Sequence, residues 1–239
     1  MNSCKITIGN DDSYNYYNDF QTDVYTVEHE EMEALVDVAF NDNIQKTKKL
    51  SFNKTIDVQI GRYMKEGSFK GCLTVNFKAT HGLKDWIINA LCFGFRRHAG
   101  YAMEIKKYKA DLLNEILFQV HHPENDIILI AGRSKGAAEA LMLCDSILTY
   151  TENFGISRVA VGAFAPPMCM SKSEGQKKAK RIGMANIYTV IHRADIVPKL
   201  FPWFHHVPGY MIEFGEKKRI PSVKVHEKVT TDRSVYDFL

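Results

Sequence analysis

Apolar side chains recur every three or four residues in two long segments of the chain, and this spacing predicts two helices. The first helix is expected to begin at Thr26, a residue type that often caps helices, and to continue to about Phe40. The second is expected from about Ala102 to Val120. The apolar face of this second helix comprises Ile105, Tyr108, Leu112, Leu113, Ile116, Leu117 and Val120.

Other segments show the alternation, or the continuous apolar runs, that are typical of strands. "TIDVQIGRYM" and "CLTVNFKAT" are separated by a turn-like stretch, so we expect them to form adjacent strands. Buried strands are also expected in "DIILIAG", "RVAVGAFAPP" and "NIYTVIH", whereas residues 171–180 read as an exposed insertion or a helix. Strands that alternate with helices in this way predict an α/β fold with a mostly parallel central sheet and helices on both faces.

The length and composition fit one domain. The chain has 239 residues, of which 45% are hydrophobic, and this is enough for one substantial core. No linker, internal repeat or low-complexity tract divides it, so residues 1–239 are expected to form a single domain. Residues 1–24 are polar and rich in Asn, Asp and Tyr, and we expect them to form a surface lead-in of uncertain order.

Charge, cysteines and hydropathy argue against several classes of protein. The 31 basic and 28 acidic residues give a net charge of +3, which is too small to indicate a nucleic-acid partner. The five cysteines are widely spaced without a CxxC pair, which argues against a disulfide framework and a structural zinc site. The sequence shows neither a signal-peptide pattern nor a long apolar run. We therefore expect a cytoplasmic protein without a transmembrane segment.

The clearest candidate for chemistry is the sequence Gly-Arg-Ser-Lys-Gly at residues 132–136. It matches the G-x-S-x-G pattern and lies between an apolar strand and an alanine-rich segment, the setting in which this pattern forms a tight turn with an exposed serine. The following helix would direct free N–H groups toward the same place, which suits a developing oxyanion. Ser134 is therefore predicted to be a nucleophile; the alternative is that its side chain only caps the helix.

A catalytic serine needs a base, and the base needs an acid that orients it. Asp195 follows the strand "NIYTVIH" and can face the end of the sheet, although an aspartate there can also cap a turn. Three histidines come later in the chain: His205, His206 and His226. The first two lie in an apolar segment, whereas His226 lies in a polar segment near the chain end. His226 is therefore the preferred base, with His206 as the second choice.

These residues lie within a longer series of motifs: "NFKATHGLKDWIIN", "RRHAGYAMEIKKYKADLLNEIL", "GRSKGAA", "AFAPP", "ADIVPKLFP" and "HHVPGY". In this order the motifs resemble those of the class 3 lipases, α/β-hydrolases that include fungal triacylglycerol lipases. The resemblance extends from about Leu73 to the C-terminus. The resemblance implies an α/β-hydrolase fold and hydrolysis of carboxyl esters. It implies a lipid or a small ester as substrate, and the reaction that it implies needs no cofactor and no metal.

The resemblance also implies a role for each site residue. Ser134 would be the nucleophile, Asp195 the acid and His226 the base of a triad that forms an acyl-enzyme. Thr80 and the backbone N–H of Lys135 would form the oxyanion hole. Transient contact with a lipid interface is expected of such an enzyme.

Three positions differ from the usual pattern of the family. Ala79 stands where glycine is usual, Arg133 where histidine is usual and Lys135 where leucine is usual. These differences leave open two alternatives: a binding protein that has the hydrolase fold without catalysis, and an enzyme that acts on thioesters, amides or phospholipid-like anionic substrates. Arg133 and Lys135 are expected either to flank the site mouth, where they would favour an anionic group, or to extend into solvent.

Two further features have open interpretations. The apolar stretch "LKDWIINALCFGF", residues 83–95, is expected either to be buried or to form a lid or a wall for the acyl chain. The pairs His121–His122 and His205–His206 are not expected to bind a metal, because adjacent side chains project in different directions and no Cys or Asp cluster accompanies them.

Overall fold

The computed structural model describes residues 5–10, 13–16, 22–52, 56–78, 98–120 and 125–239. The strands in these ranges are β1 Lys5–Asn10, β2 Ser13–Tyr16, β3 Ile44–Phe52, β4 Ile56–Tyr63, β5 Leu73–Phe77, β6 Ile127–Arg133, β7 Arg158–Phe164, β8 Ile187–His192 and β9 Tyr210–Phe214. All of them belong to one sheet, in the order β2-β1-β9-β8-β7-β6-β5-β4-β3.

The centre of this sheet is parallel and its two edges are antiparallel. Strands β5 to β9 run in the same direction. On one side β3 and β4 are antiparallel, and on the other side β1 and β2 are antiparallel. The central strands are continuously apolar because both of their faces are covered. In β6, for example, every residue from Ile128 to Ala131 is fully buried.

Helices cover both faces of the sheet, as the sequence predicts. The α-helices in the described ranges are α1 Thr22–Phe40, α2 Ala99–Val120, α3 Lys135–Thr151, α4 Lys172–Ile182 and α5 Val223–Thr231. Short 3-10 helices lie at Glu152–Phe154, Met184–Asn186, Val197–Lys199 and Arg233–Tyr236. Ile128 and Ile130 of β6 pack into the apolar core shared with α2 and α3, whereas Leu129 and Ala131 pack into the core shared with α1.

Most predicted elements are present, with shifted ends. The strands β4 and β5 are adjacent, as predicted, and pair antiparallel. The first helix begins at Thr22, so the prediction of a start at Thr26 is wrong. The second begins at Ala99 and not at Ala102. Its first turn follows His98, whose Nδ1 accepts a hydrogen bond from the N–H of Tyr101 at 3.5 Å. Histidine is not a usual capping residue, so the sequence did not mark this start.

Residues 1–24 contain two strands for which the sequence predicted no element. β1 pairs with β9, which lies near the other end of the chain. Such a long-range pairing leaves no local signal in the sequence. Thr80, Ala79, the stretch 83–95 and the pair at 121–122 lie outside the described residues. Within the described ranges, no helix is long and apolar enough to cross a membrane.

Candidate active site

The chain makes a tight turn at Ser134, between the end of β6 and the start of α3. Ser134 has φ 54° and ψ −124°, an unusual conformation for a residue with a side chain. Its N–H donates a hydrogen bond to the carbonyl oxygen of Phe164, at the end of β7, at 2.9 Å. This bond holds the turn against the neighbouring strand. A turn of this kind presents its serine at the carboxyl end of the sheet.

Glycines on both sides of Ser134 allow α3 to pack closely against the sheet. A Cβ atom at Gly132 would lie 2.5 Å from the carbonyl carbon of Gly136. A Cβ atom at Gly136 would lie 2.7 Å from the carbonyl carbon of Phe77 on β5. Both distances are shorter than two non-bonded carbon atoms tolerate, so the backbone can approach this closely only where the side chain is absent.

The hydroxyl group of Ser134 faces a histidine and does not cap α3. Among the described residues, no N–H of α3 donates to the Ser134 side chain as a cap. The Oγ atom instead lies 2.8 Å from Nε2 of His226 on α5. The structure therefore excludes the interpretation of Ser134 as a simple helix cap.

The other ring nitrogen of His226 faces Asp195. The Nδ1 atom lies 2.8 Å from Oδ2 of Asp195, and Oδ1 of Asp195 accepts a hydrogen bond from the N–H of Val197 at 2.8 Å. The exposed fractions are 7% for Ser134, 4% for His226 and 0% for Asp195. With Asp195 ionised, Nδ1 donates to it, and Nε2 is left as the acceptor for the serine hydroxyl.

Three connections at one edge of the sheet bring these residues together. Ser134 follows β6, Asp195 follows β8, and the helix α5 that carries His226 follows β9. Parallel strands end at the same edge, so the segments that follow them meet there. The N–H of Ser222, just before α5, donates to the carbonyl oxygen of Ala194 at 2.8 Å. This bond holds the start of α5 against the turn that contains Asp195.

The part of the sequence that carries Ser134 and Asp195 matches a known protein family. The sequence profile described as Lipase (class 3) matches residues 74–205, which is more than half of the chain. The chain belongs to the class 3 lipase family. The matched residues include Ser134 and Asp195 but not His226. The comparison with curated protein sequences gives no match.

Solved structures of lipases share the fold of this class 3 lipase family member. Rhizomucor miehei lipase in its propeptide complex has a TM-score of 0.59 and 15% identity over 76% of this chain and 63% of that one. Nonglycosylated Yarrowia lipolytica LIP2 lipase has a TM-score of 0.57 and 15% identity, over 81% of this chain and 80% of that one. A triacylglycerol lipase with a serine protease triad has a TM-score of 0.61 and 18% identity, over 78% of this chain and 79% of that one. The chain thus spans less than two thirds of the Rhizomucor enzyme, and the likeness establishes the predicted α/β-hydrolase fold.

His206, the second choice for the base, has a different partner in this family member. Its Nε2 atom lies 3.1 Å from the carbonyl oxygen of Pro198, to which the ring N–H donates. Burial lowers the pKa of His206 to about 4. Of the two histidines, His226 is the one within hydrogen-bonding distance of Ser134. In the part of the chain that the structure describes, no three His, Cys, Asp or Glu side chains converge as a metal ion would require.

Lys135 is buried, contrary to both interpretations of its side chain. Only 1% of the residue is exposed. Its Nζ atom pairs with Glu104 on α2 and lies 3.8 Å from Oε1 of Glu139, one turn along α3. The prediction that Lys135 faces substrate or solvent is wrong because these two carboxylates offset the cost of burying the ammonium group. The sequence analysis missed both, although the four-residue spacing of Lys135 and Glu139 was a signal for the second pair.

The Arg133 side chain has its partners on α5 and α1. Its guanidinium group donates to the carbonyl oxygen of Thr230 on α5 and lies 4.5 Å from the centre of the Phe40 ring. Burial lowers the pKa of Arg133. Both side chains have partners within the chain, so the expectation that they flank the site mouth or extend into solvent is wrong, and they give no support to an anionic preference. Arg133 instead ties β6 to the helix that carries His226.

The main-chain N–H of Lys135 is the described group best placed to act on a developing oxyanion. Lys135 is the first residue of α3, and the first N–H groups of a helix have no acceptor within the helix. The positive end of the helix dipole adds to their attraction for an anion. Thr80, the other predicted oxyanion residue, lies outside the described residues, so its role stays a prediction.

Proposed function

We propose that this class 3 lipase family member is a carboxylic ester hydrolase that cleaves lipid esters or small esters through a Ser134–His226–Asp195 triad. The observation that supports this most is the continuous series of contacts from the Ser134 hydroxyl through His226 to Asp195, at 2.8 Å each. This series begins at a turn with the conformation of a nucleophile elbow. Membership of the family supports an ester as the bond that is cleaved.

The proposed reaction has two halves. The Oγ atom of Ser134 attacks the ester carbonyl carbon while Nε2 of His226 removes the hydroxyl proton. Asp195 accepts the hydrogen bond from Nδ1 and stabilises the imidazolium. Collapse of the tetrahedral intermediate breaks the ester C–O bond, and His226 passes its proton to the departing alcohol. Water then attacks the acyl-enzyme with His226 as base again, which releases the acid and restores Ser134.

The oxyanion of each tetrahedral intermediate needs preorganised donors. In our proposal the N–H of Lys135 is one donor and Thr80 is the other. The N–H of Ser134 is unsuitable because it already donates to the carbonyl oxygen of Phe164. Donors at the start of α3 add the field of that helix to their hydrogen bonds.

The segment after Asp195 supports a substrate with a hydrocarbon part. Val197, Phe201 and Phe204 form a small apolar cluster there. Trp203 packs against the last two, with ring centroids 5.8 and 6.3 Å away, and is 53% exposed. An aromatic surface therefore lies on the loop that follows a triad residue. We propose that it contacts an acyl chain or, transiently, a lipid interface.

Reaction with a fluorophosphonate probe tests the proposed nucleophile. An activated serine displaces fluoride and forms a stable oxygen–phosphorus bond. Peptide mapping by mass spectrometry should locate this adduct at Ser134, and Ser134→Ala should remain unmodified. Folded wild-type protein that stays unlabelled would overturn the proposal and favour the alternative of a binding protein without catalysis.

A matched set of substrates tests the bond and the acyl group. p-Nitrophenyl esters of increasing chain length should be hydrolysed, with a higher kcat/KM for medium chains than for acetate. The corresponding thioester and anilide report the thioesterase and amidase alternatives. Faster turnover of either of these than of the ester would contradict the proposed bond specificity without contradicting the triad.

A further inference from the structure

A group of three charged side chains, two of them buried, begins at the residue after Ser134. Lys135 follows Ser134 in the chain and is 1% exposed, and Glu139 is 2% exposed. Glu104, on α2, pairs with the ammonium group of Lys135. The second carboxylate, that of Glu139, lies 3.8 Å from the same ammonium group. One cation therefore faces two carboxylates between α2 and α3. We call these three residues the Lys135 cluster.

Fold stability alone gives no reason for this arrangement. A cation in the first turn of a helix opposes the helix dipole. A buried ammonium group loses its hydration and is tolerated only when it is paired. An apolar residue at position 135 would avoid both costs. The cluster thus replaces simple apolar packing at the residue whose N–H adjoins the nucleophile.

We propose that Lys135 is a positioning residue: its ammonium group, held by Glu104 and Glu139, fixes the first turn of α3 and thereby aims the main-chain N–H of Lys135 at the oxyanion. The inference rests on the proposed function, because it assumes that this N–H stabilises an oxyanion. The physical link is short, since the side chain and the N–H belong to one residue. An anchor on α2 and another on α3 restrict the backbone at the elbow.

The Lys135 cluster also makes the reaction sensitive to pH through Glu139. Burial raises the pKa of Glu139 to about 7, although the nearby Lys135 opposes this shift. Ionised Glu139 attracts the ammonium group of Lys135 more strongly than neutral Glu139 does, so the anchor on α3 strengthens as Glu139 loses its proton. On α4, Lys178 pairs with Asp145, farther along α3. Other titratable groups also face the cluster. Glu104 and Tyr108 on α2 face Glu139, which Lys135 faces from the same helix α3. His98, the residue before α2, faces Lys135.

Steady-state kinetics of charge-matched variants test the positioning role. In Lys135→Met the two carboxylates lose their cation, and we expect kcat to fall by about 10- to 100-fold with KM changed less than about twofold, the result of a displaced catalytic group. The triple variant Lys135→Met, Glu104→Gln, Glu139→Gln removes all three charges, leaves no carboxylate unpaired and should keep the lowered kcat, because nothing then anchors the first turn of α3; wild-type kcat in this variant would overturn the inference. Because the neutral side chains of the triple variant can pack without repulsion, this variant also tests the positioning role if Lys135→Met does not fold. Lys177→Met, at an exposed position of α4, is the matched control and should keep wild-type kinetics.

A pH profile separates positioning from a purely structural role. The ratio of wild-type kcat to Glu139→Gln kcat should rise as the pH rises through about 7, because only wild type then gains an anionic side chain that holds Lys135. A ratio that is constant across this pH range would overturn the inference. A folded Lys135→Met with wild-type kcat would overturn it as well.

Failure of the inference and failure of the proposed function give different results. If the protein is not a serine hydrolase, wild type itself shows neither ester turnover nor labelling by the fluorophosphonate probe. If only the inference is wrong, wild type is active and labelled, and the Lys135 and Glu139 variants behave like it once they are folded. Circular dichroism and thermal unfolding establish that each variant is folded before its kinetics are compared.

Discussion

The Nε2 atom of His226 lies 2.8 Å from the hydroxyl oxygen of Ser134, although 92 positions separate the two residues in the chain. Contacts at both ends of α5 maintain this approach. At its start, the N–H of Ser222 donates to the carbonyl oxygen of Ala194. Near its end, the carbonyl oxygen of Thr230 accepts a hydrogen bond from Arg133, the residue before Ser134. The helix is therefore fastened to the acid turn and to the elbow itself.

Replacement of His226 by alanine is expected to abolish turnover of esters. Without the imidazole no group removes the Ser134 proton, and kcat should fall on the order of 10⁶-fold. The measurement is hydrolysis of a p-nitrophenyl ester under saturating substrate. His205→Ala alters an exposed histidine of the same chain and should leave kcat within about twofold. Loss of activity in the His205 variant, with activity kept in His226→Ala, would contradict the assignment of the base.

Asp195→Asn is expected to lower kcat by about 10⁴-fold while the protein stays folded. The amide nitrogen of asparagine donates to Nδ1 of His226, so the proton moves to Nε2 and this atom no longer accepts from the serine. The amide oxygen of the asparagine can still accept the hydrogen bond from the N–H of Val197, which in wild type donates to Oδ1 of Asp195 at 2.8 Å. Asp237→Asn, at an exposed position, is the control. Equal kcat values for the two variants would show that Asp195 does not orient the base.

The parts of the site that depend on local sequence could be predicted. The elbow needs small residues at fixed positions beside Ser134, and Gly132 and Gly136 display this need in the sequence. The turn after β8 supplies Asp195 because parallel strands of an α/β sheet end at one edge. The choice of His226 over His206 rested on the polarity of its segment, and the structure places His226 next to Ser134.

The parts that depend on long-range packing could not be predicted. Charged residues are expected at the surface, and the sequence alone does not show that Glu104, on another helix, meets Lys135. Arg133 binds a carbonyl group 97 positions away, which no local pattern marks. The pairing of β1 with β9 joins distant parts of the chain for the same reason. In each case the partner is set by the fold and not by neighbouring residues.

Gly136→Ala is expected to destabilise the fold at the elbow. Its Cβ atom would lie 2.7 Å from the carbonyl carbon of Phe77, so α3 must move away from β5. Overpacking of this kind costs about 1 to 3 kcal/mol of unfolding free energy, measured by urea denaturation. Gly175→Ala is the matched control on α4, where the nearest atom to a new Cβ is 3.5 Å away. The control should be stabilised by about 0.5 to 1 kcal/mol because alanine favours a helix. Equal stability of both variants would contradict the close packing at Gly136.

The fold is expected to lose stability in mild acid because of His98. This histidine is fully buried, with its ring stacked 4.1 Å from that of Tyr101, and burial lowers the pKa of His98 from 6.5 to about 4. The native state therefore binds fewer protons than the unfolded state between these two values. The contribution of neutral, buried His98 to the free energy of unfolding is complete above pH 6.5 and is lost as the pH falls toward 4. The loss is about 3 kcal/mol over this range.

Comparison of wild type with His98→Asn isolates this contribution. Asparagine can accept the hydrogen bond from the Tyr101 N–H, as His98 Nδ1 does, but it does not titrate. Urea unfolding at a series of pH values should show a smaller decrease of unfolding free energy toward acid in the variant. His206, whose pKa burial also lowers to about 4, is present in both proteins and cancels in the difference. Parallel pH profiles for the two proteins would show that His98 does not become protonated on unfolding and would contradict its burial as a neutral ring.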